Sequence, residues 1–123
     1  MPSTGPFTFQ FLENFGVPLH RIAAGERLFS AGENGDAMYI VLEGKIDVKV
    51  GDRIVETVGL HGLIGEMALI DASPRSASAI AATKGEVAVV DRATFLDLVR
   101  EEPSFALYVM GVLAGRVRRM NRD

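Results

Sequence analysis

The sequence contains no cysteine and only two histidines among its 123 residues. Without thiols it can hold no disulfide, thiolate zinc, iron–sulfur cluster or thiol nucleophile. His20 and His61 stand 41 positions apart, with no carboxylate or histidine at zinc-ligand spacing beside either. Neither a metal site nor a metal-dependent barrel enzyme is therefore expected. Positive charge is short as well, since 13 Lys and Arg against 16 Asp and Glu leave a net charge of −3. A chain that binds nucleic acid or acidic membranes wholesale normally carries a positive balance, so any anion site must be local. No apolar run approaches the roughly 18 to 20 residues that cross a bilayer. Residues 1–6 have neither the basic start nor the apolar stretch of a signal peptide, and a cytoplasmic protein with no membrane segment is expected. Ser73, Ser76 and Ser78 have no nearby histidine to act as base, so no catalytic residue is expected and the chain reads as a non-enzyme.

What is present is ample core material, 48% apolar residues with 24% charged, in a length that suits a single domain over residues 1–123. Nine of the 13 glycines fall between Gly25 and Gly85, and the runs between them are short and rich in β-branched or aromatic residues: 27–30, 37–43, 45–50 and 53–58. Residues 45–50 alternate polar with apolar, the period of a strand with one buried face, and Gly51-Asp52 reads as a hairpin turn. A second pair of strands, 75–82 and 86–91, flanks Lys84-Gly85. Several short strands at this spacing predict a β-sandwich or small barrel.

The ends read as helices. Phe11, Leu12 and Phe15 are at helical spacing ahead of Gly16, a candidate left-handed cap. Thr94, Phe95, Leu98 and Val99 predict a helix ending near Pro103. A last helix over about 104 to 120 carries the stripe Phe105, Tyr108, Val109, Val112, Leu113, Val117 and Met120. Gly111 and Gly115 are either a point of close backbone approach or merely tolerated. Arg116, Arg118, Arg119 and Arg122 suit the negative end of that helix.

The chemically informative stretch is 62–77. Gly65 permits a sharp turn, Glu66 to Ile70 can form one or two helical turns, and Ser73-Pro74 ends them. A short helix opening after glycine presents free N–H groups to an anion. Arg75 can return a guanidinium fork to the same place, which suits phosphate better than a lysine would. Amide donors, a cation and the Glu66 carboxylate together match a phosphate beside a vicinal hydroxyl. The bland alternative is a surface ion pair between Glu66 and Arg75, worth about 0 to 1 kcal/mol.

Gly65-Glu66-x-Ala68-Leu69 followed by Pro74-Arg75-Ser76-Ala77 resembles the phosphate-binding cassette of cyclic nucleotide-binding domains, as found in catabolite-activator-type regulators, protein kinase A regulatory subunits and cyclic-nucleotide-gated channels. Gly35-Asp36 through Gly44 matches the family's strand–glycine–strand pattern, and the similarity covers roughly residues 10 to 120. Ile64 stands where the family often has phenylalanine. The resemblance implies a mainly β fold, a double-stranded β-helix (jelly-roll β-roll) over about 19–91, with a short N-terminal helix at about 8–16, a short cassette helix and two C-terminal helices over about 92–121. It also implies a cyclic nucleotide ligand, cAMP ahead of cGMP, and no cofactor. Glu66 would accept the ribose 2′-hydroxyl, Arg75 would pair with the cyclic phosphate, and Ser76 would reach the phosphate or base. Backbone N–H groups of Gly65, Ala68 and Ala77 would line the seat, with Met67 beside them. The C-terminal helices would serve as lid or output, and a second copy or an effector protein would dock on the last one. No helix-turn-helix follows it, so direct DNA binding is not expected. The competing reading keeps the same fold with an unused cassette and docks a partner through Phe7, Phe9, Phe11 and Phe15 or through the terminal helix.

Overall fold

The computed structural model describes residues 9–71 and 73–121. Phe7 and Arg122 thus lie outside the described residues. Strands β1 (Leu19–Ile22), β2 (Arg27–Phe29), β3 (Ala37–Glu43), β4 (Ile46–Val50), β5 (Arg53–Val58), β6 (Leu63–Ile64), β7 (Ser78–Ala81) and β8 (Gly85–Asp91) form two antiparallel sheets. Their orders are β1-β8-β3-β6 and β2-β7-β4-β5. Helices α1 (Gln10–Asn14), α2 (Arg92–Glu101) and α3 (Ser104–Met120) flank them, and a 3₁₀ helix, Glu66–Leu69, follows β6. The jelly-roll architecture with flanking helices is as expected.

The near-continuous apolar run of β3 follows from its position. Met38 and Ile40 face a core cluster shared with Leu12, Leu98 and Phe105 of the helices. Val41 and Tyr39, pointing the other way, join Phe29, Ile46 and Val87 between the sheets. A central strand buried on both faces loses the polar half of its alternation. On β4 polar and apolar residues alternate in sequence, but only Ile46 is buried and Val50 is exposed, and its hairpin to β5 closes at Gly51-Asp52 with Val50 opposite Arg53.

Four details depart from expectation. The strand predicted over 75–82 begins only at Ser78. Arg75 is held by a loop instead, its N–H donating to Glu33 O and its carbonyl accepting from Gly32 N, both at 2.8 Å. Nor do β7 and β8 pair across Lys84-Gly85; they belong to different sheets. Strands β1 and β6 were not foreseen, because β1 buries only Ile22 and β6 is two residues long. Finally, the α3 stripe is buried at Phe105 and Val109 but leaves the core at Val117 and Met120, which are 55% and 80% exposed.

The helix boundaries have local causes. Helix α1 is shorter than the predicted 8–16, and Gly16, at φ 83°, stops it while its N–H bonds Glu13 O. Asp91 caps α2 by accepting from the Thr94 N–H at 2.8 Å. A Cβ on Gly111 would meet nothing within 4 Å, so that glycine is tolerated and marks no close approach. Phe9 and Phe11 pack against the helical cluster. Among the described residues no helix is long and apolar enough to cross a membrane.

Candidate functional site

A cavity of about 430 Å³ lies between the second sheet, the 3₁₀ helix and α3. Every residue singled out in the cassette borders it: Gly65, Glu66, Met67, Ala68, Arg75, Ser76 and Ala77. Gly65 adopts the left-handed conformation, φ 76° and ψ 22°, and so turns β6 into the 3₁₀ helix. The Ala68 N–H is engaged inside that turn with Gly65 O at 3.2 Å, so it is not the free donor that was anticipated. Ser76 is exposed at the cavity edge, and Met67 is 53% exposed.

Arg75 is held from three sides. Its Nη1 donates to Gly65 O at 3.1 Å and its Nη2 to Ala37 O at 2.8 Å. The guanidinium carbon sits 4.1 Å from the Phe29 ring centroid, a cation–π contact. Gly35 and Gly65 make the space, since a Cβ on either would come within 2.5 Å of the guanidinium nitrogens. Nε is buried with no hydrogen-bond partner, and among the described residues no carboxylate lies within 4 Å of this charge. A guanidinium has five N–H donors, of which two are used here, so Nε–H and one N–H on each terminal nitrogen remain. A part-buried cation compensated only by carbonyl dipoles and a ring face is a built seat for an anion.

The surface pair of Glu66 with Arg75, the bland alternative to a ligand seat, does not form. Glu66 Oε2 is 2.9 Å from Nη1 of Arg116 on α3, and Glu66 Oε1 is buried without a partner. Arg116 also donates through Nη2 to Leu63 O and brings Nε to 3.5 Å from Glu56 Oε1 on β5. The terminal helix is thus tied to the cassette by a side chain that had been read as a helix-end charge. Arg116 follows Val109, Val112 and Leu113 at helical spacing, so its place on the apolar stripe was the available signal. Arg92 supplies a second unanticipated tie, donating to Leu69 O at 2.8 Å and so capping the 3₁₀ helix from α2.

The two histidines have other duties. His20 bonds Glu26 at 2.8 Å, and the Ala23 N–H, with His20 as the lesser cause, holds the Glu26 carboxyl below its ordinary range. His61 stacks on Phe9 with ring centroids 3.7 Å apart. Among the described residues no group of histidines and carboxylates is placed to hold a metal.

The sequence of residues 19–102 matches the cyclic nucleotide-binding domain family. The chain belongs to that family. It is 31% identical over 106 residues to the CRP-like cAMP-activated global transcriptional regulator of Mycobacterium tuberculosis, covering 80% of this chain and 46% of the regulator. The catabolite activator protein of Thermus thermophilus superposes with a TM-score of 0.74 at 32% identity, over 85% of this chain and 52% of that one. A structure from a cyclic-GMP-dependent signalling pathway that regulates bacterial phytopathogenesis gives a TM-score of 0.74 at 30% identity, over 96% and 98%. The chain spans about half the length of the curated regulator and of the activator. In this cyclic nucleotide-binding domain Ile64, where the resemblance implies a frequent phenylalanine, is buried between the sheets.

Proposed function

We propose that the cavity binds a 3′,5′-cyclic nucleotide, cAMP ahead of cGMP, and that residues 1–123 act as one sensory or regulatory unit without catalytic activity, in the cytoplasm. The observation that carries this reading is Arg75, a part-buried guanidinium with unused donors and no carboxylate partner among the described residues, directed at the cavity. A cyclic phosphate supplies the missing anion. Glu66 Oε1, one residue beyond Gly65 and without a partner, accepts the ribose 2′-hydroxyl. Each such charge-assisted bond contributes about 1.5 to 3 kcal/mol, offset by desolvating the phosphate. Gly65, Ala77 and Ser76 frame the phosphate seat, with Met67 at its rim. Similarity to a cAMP-activated regulator supports the order of the two nucleotides.

Occupancy is transmitted through α3. A hydroxyl donating to Glu66 acts on the same carboxylate that Arg116 holds, so ligand and helix are coupled through one group. The exposed apolar residues of α3, Leu107, Met110, Val117 and Met120, form the face on which a second copy or an effector docks. Thermal unfolding with cAMP, cGMP and AMP tests the binding. At 100 times its dissociation constant a ligand adds about 2.7 kcal/mol of stability, and plain AMP should add far less. No shift with either cyclic nucleotide at millimolar concentration would refute the proposal.

A further inference from the structure

The cavity has a second polar wall that the phosphate and ribose contacts do not use. Glu56 on β5 stands opposite Val48 of β4 in the hairpin register, and the two side chains border the cavity together. Cross-strand partners share a face, so a carboxylate stands beside an apolar surface suited to a flat ring. Arg116 lies between the two acids, with Glu66 on one side at 2.9 Å and Glu56 on the other at 3.5 Å. The cavity therefore runs from Arg75 through Glu66 and Arg116 to Glu56. The Glu56 carboxylate accepts no hydrogen bond among the described residues; its only charge contacts are that one and Arg119 at 3.9 Å, both longer than a hydrogen bond. Its lone pairs are open to a donor.

The geometry points to Glu56 as the residue that reads the base edge and gives the site its affinity for guanine. This rests on the cyclic nucleotide proposal: with phosphate on Arg75 and ribose on Glu66, the base extends along the Val48 wall toward β5. An ionised carboxylate only accepts. Guanine offers it two adjacent donors, N1–H and the N2 amino group, a bidentate match. Adenine offers one donor, the N6 amino group, beside N1, an acceptor that repels a carboxylate oxygen. Glu56 thus lifts cGMP against the preference for cAMP.

The test is calorimetric titration of the wild type, Glu56→Gln and Glu56→Leu with both nucleotides, with thermal midpoints confirming that each variant is folded. In Glu56→Leu, cGMP affinity falls about tenfold, the usual scale of one bidentate base contact, while cAMP changes little. In Glu56→Gln the carboxamide presents a donor beside an acceptor, the complement of adenine, so cGMP weakens as cAMP tightens. Opposite movement of the two ligands is not produced by a general loosening of α3 through Arg116. Wild-type protein that binds both nucleotides with a ratio unmoved by either substitution overturns this assignment alone. Wild-type protein that binds neither overturns it together with the proposed function.

Discussion

Arg116 Nη1 lies 2.9 Å from Oε2 of Glu66, so the acid of the cassette is held by the last helix and not by the cassette's own arginine. Both side chains are largely buried, Glu66 at 14% and Arg116 at 19% exposure, and the pair is correspondingly little screened by solvent. Arg75 answers instead to two carbonyls and a phenylalanine ring. The two cations of the cavity thus have separate positions: one is fixed on the β-roll next to an unpaired electropositive seat, the other rides on α3.

Separating them experimentally is a matter of a double-mutant cycle. Arg116→Ala alone leaves Glu66 short of its partner and should destabilise the fold by about 1 to 3 kcal/mol. Glu66→Gln relieves that penalty, giving a coupling of about 0.5 to 3 kcal/mol between the two positions. Denaturant unfolding of the four proteins measures it, and additive effects would contradict the tie. Hydrogen exchange of residues in the second half of α3 should quicken in Arg116→Ala, with β3 and β8 unchanged.

Arg75→Ala should weaken cyclic nucleotide binding about 100-fold, the loss of two charge-assisted bonds near the lower end of their range. Arg75→Lys keeps the charge but loses the planar fork and the face on Phe29, and should recover only part of that affinity. Titration calorimetry on the two variants checks the order wild type, Lys, Ala. Equal affinities in all three would mean that the phosphate is bound elsewhere.

Much of the fold was legible because local pattern and final position agree. The β4–β5 hairpin carries alternation and a Gly-Asp turn, and Pro103 separates α2 from α3 where the apolar spacing restarts. The cassette was legible because Gly65, Glu66, Pro74 and Arg75 are close in sequence and border one cavity in space. What was missed depends on distant contacts. Strand β1 exists through its ladder to β8, with Leu19 opposite Ala88, and its own residues are mostly exposed. The pairing of β7 with β2 and β4, and not with β8, is a choice between sheets that no local period encodes. Arg116 was assigned to the helix end because charge composition does not say which turn of α3 passes over the cassette. Its partners Glu66, Leu63 and Glu56 lie 50 or more residues earlier.

Three glycine substitutions separate backbone strain from ligand geometry. Gly25→Ala, at φ 86° with nothing near the new Cβ, should cost only the left-handed penalty, about 1 to 2 kcal/mol, and leave nucleotide affinity unchanged. Gly65→Ala adds a Cβ 2.5 Å from Arg75 Nη1 to the same strain, and should lose both stability and affinity. Gly35→Ala drives a Cβ to 2.5 Å from Nε and Nη2, displacing the guanidinium, so affinity should fall more than tenfold. Parallel unfolding and titration measurements decide this, and affinity that tracks stability across all three would show that Arg75 placement is not the controlling variable.

His61 makes the stability of the helical end depend on pH. Its ring is stacked on Phe9, Tyr108 donates to its carbonyl at 2.5 Å, and burial lowers its pKa from the ordinary 6.5. The neutral form is therefore favoured in the folded state, and the unfolded chain binds a proton more readily. Its contribution is complete above about pH 6.5 and is lost as pH falls through the lower folded value. His61→Asn is the suitable comparison, since position 61 has φ 67° and asparagine tolerates that conformation. The wild type should be the more stable protein at pH 8, and the difference in unfolding midpoint should narrow as pH is lowered through 6. Parallel pH profiles for the two proteins would show that the stacked ring is protonated as easily in the folded chain as in the unfolded one.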